Sequence, residues 1–125
     1  MREVIARLRA SKARSAEDDY QEGFEEGRGW AMTRAEAAEL EDLAAWREQA
    51  GLDWELHFDR TVSDAYSPGE ILVFAISPER NGDREIAREF WEGNVSSPHL
   101  SLKSEFVRGF AEGALDLWKE VSDQL

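Results

Sequence analysis

Two segments near opposite ends of the chain share one pattern, in which an aromatic residue, Gly, Phe and Gly recur at helical spacing. Within each segment the two glycines lie one turn apart, so a helix carries them on the same face. A Gly inside a helix costs about 1 kcal/mol relative to Ala, and four cost about 4 kcal/mol of a net stability of about 5–15 kcal/mol. We therefore expect close packing to offset this cost. The residues of the two segments are Tyr20, Gly23, Phe24, Gly27, Phe106, Gly109, Phe110 and Gly113.

The glycine pairs also predict how the fold is organised. Without Cβ atoms, each pair forms a flat groove that another backbone or a large ring can approach closely. We expect the first and last long helices to cross at these grooves, with Trp30, Trp91 and Trp118 packed around the crossing. Internal packing is favoured here over a groove for a ligand or partner. The predicted fold is mainly α, as a single compact helical domain.

Periodicity and capping signals predict four longer helices, at about 16–31, 34–50, 83–93 and 101–122. Ser15 is the expected N-cap of the first, because acidic residues follow it. Thr33 and Glu36 match a capping box that would start the second helix, and Gly51 supplies its C-terminal stop. The short connection between these two helices predicts a helical hairpin or corner.

Residues 52–76 fit two structures. LDWELHFD alternates apolar and polar residues, and ILVFAI follows a Ser-Pro-Gly-Glu turn signal, which is typical of a small β-hairpin. The same signal, from Ser67 to Glu70, is also a capping box with Pro68 at the first helical position. We predict helices because the neighbouring segments are helical and a lone hairpin is marginally stable. An α+β fold with one β-hairpin within 52–76 is the alternative.

Charge is divided unevenly along the chain. Fifteen Lys and Arg against 27 Asp and Glu give a net charge of −12. Residues 1–14, the N-terminal arm, carry five cations against Glu3, so the arm has a charge of +4 and residues 15–125 have −16. The five cations are Arg2, Arg7, Arg9, Lys12 and Arg14. The sequence thus predicts a basic arm attached to an acidic helical domain.

The arm is also amphipathic. Met1, Val4, Ile5 and Leu8 fall at helical spacing, which predicts an apolar stripe with a basic back. The favoured interpretation is a first helix lying on the acidic surface of its own protein. The other is an arm that docks on a partner.

Composition excludes several classes of function. An acidic body repels phosphate backbones and anionic membrane surfaces, so we expect it to bind neither nucleic acid directly nor a membrane. The absence of Cys excludes disulfides and thiolate chemistry. The start of the chain lacks the apolar run of a signal peptide, and no stretch approaches the length of a membrane span. These features predict a cytoplasmic protein.

No motif for catalysis or cofactor binding is recognised. His57 and His99 lack the spacings of zinc or di-iron helix sites, and phosphate-binding and dinucleotide-binding glycine motifs are missing. His57, with acids around it, has the groups for acid–base chemistry, but the polar face of a half-exposed segment explains it better. We predict no catalytic residues, no metal, no cofactor and no enzyme activity.

Tryptophan content favours recognition. Five Trp in 125 residues are too many to be fully enclosed in a core of this size. We take Trp46 and Trp54, together with the five cations of the arm, as candidate partner-binding residues. The predicted function is a non-enzymatic helical protein–protein interaction or accessory module, with a protein partner or a homo-oligomer.

The alternative function is an acidic inhibitor or regulator of a nucleic-acid enzyme that imitates a row of phosphates. Such a mimic needs carboxylates on one continuous face at the spacing of a nucleic-acid backbone. The residues that would form the row are Glu17, Asp18, Asp19, Glu22, Glu25 and Glu26.

Overall fold

The structure is a computed structural model that describes residues 1–54, 56–59, 66–80 and 82–125, without the side chains of 11–15, 56, 59 and 80. The described residues form six α-helices joined by short turns and 3₁₀ segments, and no strand is found among them. The hairpin alternative is therefore wrong for the described part of 52–76, and residues 55 and 60–65 lie outside the description. The helices are α1 (Arg2–Thr33), α2 (Ala37–Ala50), α3 (Leu56–Asp59), α4 (Pro68–Ile76), α5 (Arg84–Asn94) and α6 (Ser104–Val121).

The first helix is longer than predicted. α1 runs without a break for 32 residues, which is about 48 Å. It passes through Ser15, so the predicted N-cap at that residue is wrong. The arm and the glycine segment belong to one continuous helix, because the sequence around Ser15 consists mainly of good helix formers such as Ala, Arg, Lys and Glu.

The start of α2 corrects a second prediction. The Thr33 hydroxyl donates to the carbonyl oxygen of Gly29 at 2.7 Å, so Thr33 completes α1 instead of capping α2. Glu36 is the N-cap, and the Glu39 carboxylate accepts from its backbone N–H at 2.8 Å. The capping box lies three residues later than predicted. The end of the helix is confirmed, because Gly51 follows it with a φ of 69°.

α4 forms the centre of the core. Ser67 is its N-cap, Pro68 occupies its first turn, and the Glu70 carboxylate accepts a hydrogen bond from the Ser67 N–H. The helical interpretation predicts all three features. The apolar run that follows is buried apart from half-buried Ile71, which explains its lack of a polar face. Its buried residues are Leu72, Val73, Phe74, Ala75 and Ile76.

The last two helices lie close to their predicted positions. Asp83 caps α5 by accepting from the N–H groups of Glu85 and Ile86 at 3.1 and 3.2 Å. Residues Pro98–Leu102 form a 3₁₀ segment, and Lys103 is extended, so α6 begins three residues after the predicted start.

The predicted crossing of the first and last long helices is confirmed. Gly23 and Gly27 of α1 face the backbone of Phe106 and Phe110, and a Cβ atom at either glycine would overlap a carbonyl oxygen. Since residue numbers rise together along both helices, α1 and α6 run parallel. A Cβ atom would take the place of one of the two hydrogens on the glycine α-carbon. That hydrogen therefore points at the carbonyl oxygen, which is the arrangement of a Cα–H···O contact.

The crossing is also symmetric. Gly109 and Gly113 of α6 meet the carbonyl oxygens of Tyr20 and Phe24 in the same way as the α1 glycines meet α6. Equivalent positions of the repeated pattern thus exchange contacts about an approximate two-fold axis. The aromatic residues surround this axis, with Trp30, Phe106 and Phe110 buried and Tyr20, Phe24 and Trp118 half-buried.

Candidate protein-interaction surfaces

The N-terminal arm is exposed along its first ten residues. The exposed fractions of its apolar side chains are 92% for Met1, 43% for Val4, 44% for Ile5 and 57% for Leu8. The favoured interpretation, in which the arm lies on its own protein, is therefore wrong for these residues. The apolar stripe of the arm is left without cover within the molecule.

The register between α1 and α6 explains this exposure. Lys103, which immediately precedes α6, places its Nζ 3.7 Å from Oδ2 of Asp19. The part of α1 before Asp19, roughly 25 Å at 1.5 Å per residue, therefore extends past the start of α6. The helix that packs against the rest of α1 does not reach the arm.

The described cations of the arm are exposed and form no ion pairs with other described residues. Arg2, Arg7 and Arg9 are exposed, and no ion pair involves them among the described residues. The side chains of Lys12 and Arg14 lie outside the described part of the structure. The arm thus presents cations beside an uncovered apolar stripe, which is the pattern of a helix that binds an acidic, partly apolar surface.

The two candidate tryptophans differ in burial. Trp54 is only 3% exposed, so it offers almost no surface to a partner. It is enclosed because α2 supplies the Arg47 guanidinium, 4.4 Å from its ring centre, and α3 supplies Phe58, whose ring centre lies 5.5 Å away. Trp46 is half-buried and packs edge-on against Trp54 and Phe58.

Trp46 opens onto a surface depression that the sequence did not reveal. This depression, the α2–α4 groove, has a volume of about 540 Å³ and lies between those two helices. It is mainly apolar and aromatic, and Asp42 is the one charged residue in the part of its lining that the structure describes. The lining residues are Asp42, Ala45, Trp46, Gln49, Tyr66, Ile71, Phe74, Ala75 and Pro78. Of these, the sequence signalled only Trp46.

The surroundings of the α2–α4 groove are acidic. α2 carries four carboxylates, Glu39, Glu41, Asp42 and Glu48, against the single cation Arg47. That cation lies over the Trp54 ring and is only partly exposed. A negative potential along α2 therefore favours a cationic ligand in the groove.

The predicted row of carboxylates on α1 is interrupted. Asp19 pairs with Lys103, and Glu26 accepts from the backbone N–H of Ser96 at 3.1 Å. Elsewhere on the crossing, Arg28 of α1 binds Asp116 and Glu120 of α6 at 2.8 and 2.7 Å. Several acids thus hold the fold together, which leaves Glu17, Asp18, Glu22 and Glu25 exposed.

The two histidines lie in different elements. The His57 ring is half-buried and packs edge-on against Trp46, with the ring centres 5.6 Å apart. His99 is exposed in the 3₁₀ segment before α6. Over the described residues, no group of three His, Asp or Glu side chains is arranged to hold a metal ion.

Comparison with protein families, with curated proteins and with solved structures finds no match to this chain. Within the part of the chain that the structure describes, no helix combines the length and the apolar character needed to cross a membrane.

Proposed function

We propose that this protein is a non-enzymatic helical interaction module of the cytoplasm whose recognition element is the N-terminal arm. The observation that carries the proposal is the exposed apolar stripe of Met1, Val4, Ile5 and Leu8 on a helix continuous with the core. Contiguous apolar residues on a surface mark sites of association, especially where charged residues surround them. The acidic helical domain, 15–125, is then the scaffold that presents the arm.

The way the arm is presented supports this function. α1 is anchored by the glycine crossing, so the arm is already helical before it meets a partner. A preformed helix loses less conformational entropy on binding than a segment that folds on contact. The stripe can therefore bind an apolar groove with little ordering cost.

The charge of the arm indicates the chemistry of the partner. Cations beside an apolar stripe suit a protein surface that combines carboxylates with apolar side chains. An anionic membrane or a nucleic acid would attract the arm but repel the remaining residues, whose charge is −16. An acidic protein surface is therefore the favoured partner.

The alternative, a mimic of nucleic acid, has less support. Two of the six carboxylates that would form its phosphate-like row, Asp19 and Glu26, bind groups within the protein. A mimic needs the row uninterrupted and unpaired.

Affinity capture with matched variants tests the proposed function. Leu8→Glu places a charge in the apolar stripe, and Ala6→Glu makes the same charge change on the opposite side of the arm. We expect Leu8→Glu to release a protein that the wild-type chain and Ala6→Glu retain, as identified by quantitative mass spectrometry. Identical sets of captured proteins for all three chains would contradict the function.

A further inference from the structure

We propose that the partner of the arm is a second copy of this chain, and that the α2–α4 groove of that copy receives it. This inference rests on the proposed function and assigns the partner. It makes the protein a homodimer in which an amphipathic helix lies in an apolar groove.

Charge complementarity within the chain supports this partner. The arm carries +4 and the remaining residues −16, so every copy contains both members of an attractive pair. One side of the groove is α2, which carries four carboxylates and one cation. Asp42 of α2 forms part of the groove wall. Two whole molecules repel each other through their net charge, but this repulsion is screened beyond about 8 Å at physiological ionic strength. Contacts at close range therefore decide the outcome.

The apolar surfaces also match. Val4, Ile5 and Leu8 form a stripe about one helical turn long. The groove offers half-buried Trp46, Tyr66 and Ile71 as its apolar walls. A partly exposed Trp at the edge of an apolar depression is the kind of residue that dominates binding energy at protein interfaces.

The arm cannot bind the groove of its own molecule. It is the first part of the continuous helix α1, and the glycine crossing fixes the direction of that helix. Folding back would require breaking α1, and the first ten residues of the arm are exposed in the structure. Only another molecule can offer the groove. If each copy gives its arm and receives one, the two contacts are related by a two-fold axis and the assembly closes as a dimer.

Sedimentation equilibrium of the full chain tests the inference. We expect a wild-type dimer, with dissociation constants raised about tenfold or more by Leu8→Glu in the arm and by Ala45→Arg in the groove. Ala45 is exposed and lines the groove, so its substitution leaves the core intact. Ala6→Glu and Ala37→Arg make the same changes at exposed positions on other faces of the two helices, and both should remain dimeric.

A mixing experiment separates the arm from the groove. Leu8→Glu retains an intact groove, and Ala45→Arg retains an intact arm, so an equimolar mixture restores one arm–groove contact. We expect a heterodimer from two chains that are each monomeric alone. Gln49→Arg, at an exposed groove residue, replaces Ala45→Arg if circular dichroism shows that the latter unfolds.

The outcomes distinguish this inference from the proposed function. A monomeric wild-type chain, a dimer that survives either variant, or a mixture that stays monomeric overturns self-association. If a different protein is still captured by the wild-type chain and lost with Leu8→Glu, the proposed function holds without the inference. If neither a dimer nor any arm-dependent capture is found, both are overturned.

Discussion

The α-carbon of Gly27 lies so close to the carbonyl oxygen of Phe110 that a methyl group at residue 27 would overlap that oxygen. Both atoms belong to the main chain, so neither can move aside by changing a rotamer. α1 and α6 are thus held at a distance that only glycine permits. The same crossing holds the helix from which the arm extends.

Substitution at the crossing should therefore be severe. We expect Gly27→Ala to lower the free energy of unfolding by at least about 2 kcal/mol, because the backbones must separate and the packing around them loosens. Gly109→Leu, which would meet the carbonyl of Tyr20 with a larger side chain, should prevent folding. Urea denaturation followed by circular dichroism measures the loss in Gly27→Ala, and the circular dichroism spectrum without urea shows whether Gly109→Leu folds. Unchanged stability in Gly27→Ala would refute the close crossing.

Gly29 provides the matched control in the same helix. No atom lies within 4 Å of a Cβ built at Gly29, so an alanine there meets open space. We expect Gly29→Ala to raise the free energy of unfolding by about 0.5–1 kcal/mol, because Ala is the better helix former. A shift of the urea midpoint to a higher concentration would confirm it. A loss as large as that of Gly27→Ala would mean that the destabilisation is not specific to the glycines of the crossing.

The cap of α5 gives a further prediction. Asp83 accepts hydrogen bonds from the backbone N–H groups of Glu85 and Ile86. Asp83→Ala should cost about 0.5–2 kcal/mol of stability, because these groups lose their side-chain acceptor. Asp83→Asn keeps an acceptor and should cost much less. Thermal melts of the two variants compare them, and equal losses would contradict the cap.

The Arg28 pairs on the outside of the crossing should contribute little. The hydrogen bond to Glu120 is the main cause of the raised pKa of Arg28, and the charges of Glu120 and Asp116 act in the same direction. The guanidinium therefore stays charged over the whole pH range in which the protein is folded. Arg28→Gln should lower the free energy of unfolding only slightly, since exposed ion pairs are weak and salt screens them. The difference from wild type should shrink in 1 M NaCl, and a difference that grows with salt would contradict an electrostatic role.

Salt should also weaken the proposed dimer. Cations of the arm meet carboxylates of α2 across the interface, so raising ionic strength from about 0.05 to 0.5 M removes part of the attraction. Sedimentation at several salt concentrations should show a dissociation constant that rises with salt. A weaker dimer should still form at high salt, since salt does not screen the contacts of the apolar stripe. Tighter association at high salt would indicate that repulsion between the acidic bodies outweighs the arm contact.

Local signals in the sequence were misleading where the same residues were compatible with two structures. Ser15 followed by acids looks like a helix start, yet α1 passes through it because strong helix formers continue on both sides. Trp54 looks like an exposed anchor, yet Arg47 and Phe58 cover it once α2 and α3 pack together. Phe58 is at helical spacing from Trp54, but the Arg47 contact is not predictable from sequence spacing, because it depends on how α2 meets the segment that follows it.

The candidate surfaces divide in the same way. The charge and apolar stripe of the arm are properties of fourteen consecutive residues, so they could be read from the sequence. The α2–α4 groove brings together residues more than thirty positions apart, such as Asp42 and Pro78. Only their packing made it visible.

By itself, the sequence determined that something must pack closely against each glycine pair, because nothing within a single helix compensates for the stability those glycines cost. It favoured a crossing of two helices distant in the chain. The tertiary structure decided that α1 and α6 run parallel, that their register leaves the arm beyond the start of α6, and that Trp46 borders a groove while Trp54 is buried. These features depend on the relative placement of elements, and a pattern of residues along one chain specifies the faces that pack but not the direction or register in which they do so.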